Sequence, residues 1–153
     1  MISQTAEHAL RAVLFLARQP GQGSVPADAI AAALGAPRNY LSKTLQQLAR
    51  AGIVVGTRGP TGGFRLAVPA DTLSVAELVE VFDEEHRSGM CLLGGTRCTG
   101  ESPCAAHFNW KAVTAEARAP LERTVIADLL RDVGAEHPAT ADPPPTRAVH
   151  SAA

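Results

Sequence analysis

The chain has 153 residues, 46% of them apolar but only 4% aromatic, with a formal net charge of −1. That size and balance fit one ordinary globular unit or two very small ones with an aliphatic core, and at this length no covalent staple is needed for stability. No apolar run approaches the ~18 to 20 residues that cross a bilayer, and the opening MISQTAEHALR lacks the basic flank and cleavage site of a signal peptide, so a cytoplasmic protein without a membrane partner is expected.

The near-neutral total conceals an asymmetry. Residues 1–68 carry seven cations (Arg11, Arg18, Arg38, Lys43, Arg50, Arg58, Arg65) against two anions (Glu7, Asp28), a net +5, whereas the remainder carries seven against thirteen, a net −6. A basic segment joined to an acidic one suits a protein that offers one end to a polyanion and not the other.

Taken in order, residues 3–19 place Ala6, Leu10, Val13, Leu14 and Ala17 at helical spacing, and Pro20-Gly21 ends the pattern. Pro26, Asp28 and Gly35 bracket a second helix of about nine residues, with proline in the first turn, an acid near the positive helix end and glycine at the stop. Pro37 opens a third helix whose buried stripe is Leu41, Leu45 and Leu48 and which Gly52 closes. Helices two and three, joined by a tight turn, predict a helix-turn-helix. IVVGTRGPTGGFRLAV then reads as a β-hairpin with strands Ile53–Val55 and Phe64–Val68. Ser74 and Glu77 form a capping box ahead of a fourth helix bearing Val75, Leu78, Val79 and Phe82.

Residues 84–104 lose periodicity and hold all three cysteines. A helical pattern returns from Ala105 to about Leu130 through Trp110, Val113, Ala117, Leu121 and Val125, with a kink or break expected at Pro120. A helix so thinly covered by its own domain is expected to pack on a second copy of the chain. The last 20 residues contain four prolines and read as a disordered tail. The expected fold is therefore mainly α with a small β-hairpin wing. Its divisions are a winged helix-turn-helix over 1–68, a cysteine loop with dimerisation helices over 69–133, and a tail over 134–153.

With the leucine stripe inward, Arg38, Asn39, Ser42, Lys43, Gln46 and Gln47 fall on or near the outer faces of helix three. These are base-edge and phosphate donors, suited to a recognition helix in a major groove. A solvated helix face is the plain alternative for each, and Tyr40 suits either the core or a phosphate contact. In the wing, glycines including Gly59 surround Arg58, and an arginine at such a tip can enter a narrow minor groove. An ordinary hairpin turn is the alternative there.

Cys91, Cys98 and Cys104 lie at C-x6-C-x5-C, with His107 three residues further on. Three thiolates in one glycine-rich segment can wrap a single soft-metal centre, and the spacing admits zinc, an iron-sulfur cluster or a reversible disulfide. The run from Asp83 to His86 could also bind a metal, although a solvated helix end explains it as well. Cys104 and His107 do not make a convincing nucleophile and base, and no oxyanion loop or substrate pocket is legible, so neither an enzyme nor a small-molecule substrate is expected.

The N-terminal helix, the Y40-L-S-K-T-L-Q-Q-L48 helix, the wing R58-G-P-T-G-G-F-R-L66 and the loop C91-x6-C98-x5-C104-A-A-H107 together resemble the Rrf-type winged-helix iron-sulfur regulators (IscR/NsrR-like), from Met1 to about Leu130. The resemblance implies a homodimeric transcription factor, a repressor by expectation, that binds double-stranded operator DNA. It further implies a 2Fe-2S or 4Fe-4S cluster that reports redox, nitric oxide or iron-sulfur status. Cys91, Cys98 and Cys104 match the ligating thiolates, and Arg58 matches the minor-groove arginine. The fourth ligand is His107 in one branch of the family. In another it is a carboxylate on the partner's first helix, where this chain has Glu7, with His8 beside it. A structural zinc or a cluster-free thiol switch is the alternative.

Overall fold

The computed structural model describes residues 2–19, 23–59, 62–83, 103 and 105–132. The three cysteines and the expected tail lie outside them.

Helix α1 (Gln4–Ala17) starts at Ser3, whose hydroxyl accepts the Ala6 N–H at 3.2 Å. Its buried face is wider than one stripe, comprising Ala6, Ala9, Ala12, Val13 and Leu16, with Leu10, Leu14 and Ala17 partly covered. The cause is its central place, in contact with the next two helices, the hairpin and the C-terminal helices; alanines allow such close approach.

Helix α2 (Ala27–Leu34) is capped by Pro26 and stopped by Gly35, whose φ of 62° is the left-handed conformation that glycine adopts without cost. Helix α3 (Arg38–Arg50) buries Leu41, Thr44, Leu45 and Leu48. Thr44 escapes the sequence pattern: it is 1% exposed and tolerable there because its hydroxyl donates to the Tyr40 carbonyl at 3.2 Å.

Strands β1 (Val54–Thr57) and β2 (Gly63–Leu66) pair antiparallel from Val54↔Leu66 to Thr57↔Gly63, so toward the tip the hairpin runs two residues further on β1 and one further on β2 than the apolar runs imply. Val25, just ahead of α2, adds a bridge to Phe64 through two backbone hydrogen bonds of 2.8 and 2.9 Å. The wing is thereby sewn to the entrance of the helix-turn-helix.

Helix α4 (Val75–Glu80) has the expected reciprocal capping box between Ser74 and Glu77. Helix α5 (His107–Arg123) continues past Pro120. Pro120 is exposed and has no N–H to donate to the preceding turn. The break falls instead at Thr124, whose backbone N–H and hydroxyl both donate to the Pro120 carbonyl, at 3.0 and 2.8 Å. Helix α6 (Ile126–Asp132) is laced to the start of α4 by Val75 N–H to Thr124 O and Ile126 N–H to Leu73 O, both 2.9 Å. At its first turn the Val125 N–H, and after it Arg131, hold the Asp128 carboxyl below the usual carboxylate range.

One core joins these pieces: Leu73, Val75, Leu78, Val79 and Ile126 lie in the same buried cluster as the residues of α1, α2 and α3. Helix α5 alone contributes no buried residue, and Phe108, Trp110 and Val113 stand exposed along it.

Candidate nucleic-acid interface

Gly35 turns the chain so that α3 follows α2 after three residues, and the leucines of α3 face α1 and α2. The opposite side presents Arg38, Asn39, Lys43, Gln46 and Gln47, all exposed, with Ser42 half-buried between them. That is a continuous row of hydrogen-bond donors with two cations.

Tyr40 is placed differently. Its hydroxyl donates to Thr5 Oγ1 at 2.9 Å and its ring meets the edge of His8 at 5.4 Å between centroids, so it ties α3 to the first turn of α1. Of the two acids in the basic half, Glu7 pairs with Arg11 at 2.7 Å, and Asp28 on α2 pairs with Arg38 at the first position of α3.

In the wing, Arg58 is exposed and Gly59 has a φ of 116°, a backbone state that L side chains rarely adopt. The need for glycine at 62 and 63 is internal to the protein. A Cβ on Gly62 would stand 2.4 Å from Thr57 O, and one on Gly63 would stand 2.4 Å from both the carbonyl carbon and oxygen of Val25. These two glycines let the hairpin close on itself and on Val25. Thr57 completes the junction, its hydroxyl 3.0 Å from that of Ser24.

Cys91, Cys98 and Cys104 lie outside the described residues, and among those described no three His, Cys, Asp or Glu side chains gather as a metal site. The three candidates for a fourth ligand are in different circumstances. His107 opens α5, half-buried, its ring edge-on to Phe108 at 5.2 Å, and no group among the described residues hydrogen-bonds its nitrogens. His8 has Nδ1 2.8 Å from the Gln4 carbonyl, and Glu7 is committed to Arg11. An imidazole beside three thiolates is a donor set that fits a zinc ion or an iron-sulfur cluster.

Sequence reasoning missed a second link to this region. Asp83, read as part of a solvated helix end, is only 9% exposed and accepts the Ser3 N–H at 2.9 Å, which joins the last described residue before the cysteine segment to the cap of α1. Glu84, Glu85 and His86 lie outside the described residues.

Residues 2–132 match the family described as Rrf2, iron-dependent transcriptional regulator. The transcriptional regulator IscR of Aliivibrio salmonicida is 28% identical over 131 residues, 86% of this chain and 77% of that protein. Among solved structures, IscR of T. potens superposes with a TM-score of 0.71 at 23% identity, covering 92% of this chain and 93% of its own. The oxidised form of Staphylococcus aureus CymR superposes at 0.67 with 25% identity, covering 85% and 95%. The arrangement of helices and hairpin is thus that of the winged-helix regulators.

Proposed function

Because the chain belongs to the Rrf2 family of transcriptional regulators, we propose that it is a homodimeric DNA-binding repressor whose cysteines hold an iron-sulfur cluster that sets its grip on operator DNA. The observation that carries the DNA reading is the exposed row Arg38, Asn39, Lys43 on α3 beside Arg58 at the wing tip. In this reading α3 occupies a major groove, with Arg38, Asn39, Ser42 and Lys43 reaching base edges and phosphates, while Tyr40 contributes by fixing α3 against α1. Arg58 enters the adjacent minor groove, and Gly59 lets the tip take its turn. The winged helix then spans 1–68, and residues 69–133 carry the cysteine segment and the dimer helices.

Two recognition helices must meet half-sites about one helical turn apart, roughly 34 Å, so a small change in their separation weakens both contacts together. The exposed apolar side chains of α5 are where the second copy would sit. Cys91, Cys98 and Cys104 would hold the cluster, with His107 as the fourth ligand, or Glu7 or His8 from the partner's first helix. A bound cluster supplies a redox- and nitric-oxide-sensitive iron centre. What the chain supplies is the coupling: a cluster gripped between α4 and α5 constrains the helix that carries the partner.

Arg58→Ala should flatten the dependence of log affinity on log salt by about 0.9, the contribution of one neutralised phosphate, when measured by fluorescence anisotropy on duplex DNA. An unchanged slope would remove Arg58 from the interface. Protein purified without air should contain iron and acid-labile sulfide and absorb in the visible range. Ala at Cys91, Cys98 or Cys104 should remove that absorbance while the far-ultraviolet dichroism stays, because the core formed by the described residues is aliphatic and closes around α1, α3, α4 and α6.

The 25% identity with a regulator, Staphylococcus aureus CymR, solved in an oxidised form favours one second reading, a cluster-free thiol switch. Colourless, metal-free protein whose DNA affinity changes reversibly with oxidant and thiol would decide for it. Colourless protein containing zinc would decide for a structural metal.

A further inference from the structure

Residues 1–68 contain only two acids, and one of them stands inside the helix-turn-helix itself. Asp28 is the second residue of α2, and its Oδ1 meets Nε of Arg38, the first residue of α3. Both side chains are largely exposed, at 62% and 70%. The amino end of a recognition helix is the part that enters the groove, so this ion pair lies where DNA contacts are made. A carboxylate there is repelled by phosphates whatever the base sequence, and an exposed pair of this kind strengthens the fold by no more than a factor of about five. Stability is therefore a poor reason for its presence.

Its geometry suggests a better one. A guanidinium carries five N–H donors, and the contact at Nε leaves the four on the terminal nitrogens, the fork that pairs with O6 and N7 of guanine. Carboxylate and guanidinium together are neutral, so a paired Arg38 adds little to counterion release along the phosphate backbone. The carboxylate also lies in the first turn of α2, where the helix dipole favours an anion and helps keep it in place.

We infer that Asp28 is a specificity-determining residue, which by pairing with Arg38 withholds that cation from indiscriminate phosphate contact and orients its free fork toward a base edge. This rests on the DNA-binding reading above and deepens it, since Arg38 becomes a reader of bases and Asp28 its positioning residue.

The test is a double-mutant cycle on full-length protein with Asp28→Asn, Arg38→Ala and the double variant. Affinity for a random-sequence duplex is measured by anisotropy across a salt series, and preferred sites are selected in parallel from a randomised duplex library. Asp28→Asn should bind the random duplex severalfold more tightly, with a slope steeper by about 0.9. Arg38→Ala should change the slope little in the wild-type background and by about 0.9 in the Asp28→Asn background. Sites selected by Asp28→Asn should lose discrimination at one position per half-site, the same position lost by Arg38→Ala. If Arg38→Ala flattens the slope equally in both backgrounds, or if Asp28→Asn selects the same sites as wild type, the inference is wrong while the DNA-binding reading stands. If wild-type protein binds no duplex at low salt, both fall.

Discussion

Exchanging Phe108 and Val113 together for Asp should convert the proposed dimer into a folded monomer that has lost most of its hold on paired half-sites. Helix α5 spans 17 residues without burying one, and Phe108 and Val113 are 71% and 57% exposed. A helix of that length is marginal in water when nothing covers it. Within its own chain α5 is held by Leu121 at the core and by Arg118, which pairs with Glu80 on α4 and with Glu122. Covering Phe108 and Val113 with a second copy would contribute about 1.5–3 kcal/mol for each side chain. A carboxylate buried against the second copy at either position would replace that gain with repulsion and desolvation. Light scattering should show the mass falling from twice 15.9 kDa to 15.9 kDa. Affinity for a two-half-site duplex should drop by roughly 10²–10⁴, the advantage that linkage of two binding heads confers. A variant that stays dimeric and binds undiminished would place the dimer contact elsewhere.

Leu45→Ala should be the most damaging small change within the fold. Leu45 is fully buried on α3, the helix that contacts α1, α2 and β1. Removing three carbons there leaves a cavity that rigid neighbours fill poorly, at about 2–5 kcal/mol, against a total stability of roughly 5–15 kcal/mol for a domain. The melting temperature should fall by about 10 °C, and the fraction able to bind DNA should fall with it on warming. Val113→Ala, at an exposed position, should shift the melting of dilute monomer by far less. A Leu45→Ala midpoint within 2 °C of wild type would mean that α3 is not anchored as described.

What could be read from the sequence was what neighbouring residues decide among themselves. Gly35 stopping α2, the leucines of α3 and the Ser74–Glu77 capping box each carry a local signal, and each element stands where that signal puts it. The features that escaped depend on residues far apart in the chain. Ser24 and Val25 are too few to show a strand period, so the bridge from Val25 to Phe64 has no signature. The Tyr40 hydroxyl finds its partner 35 residues away, and Asp83 finds Ser3 at a separation of 80. Pro120 is a different case: α5 continues three residues past it and ends at Arg123, so the interruption that a proline signals falls almost one turn later than its own position. At the candidate site the donor row on α3 was legible, because a leucine stripe fixes which side is outward. The restraint on Arg38 was not, since nothing in the sequence tells which cation an acid in the preceding helix will meet.

The clamp at Thr124 and Val125 has a mechanical meaning. Backbone hydrogen bonds to Leu73 and Val75 fix the far end of α5, whereas its start at His107 is braced by no buried side chain of its own. The helix is about 25 Å long, so a tilt of roughly 5° at the clamp would carry the His107 end about 2 Å. Any event small enough to be felt only at the cysteine segment would thus be geared up or down along this arm, and the stiffness of the pivot would set how much of it arrives.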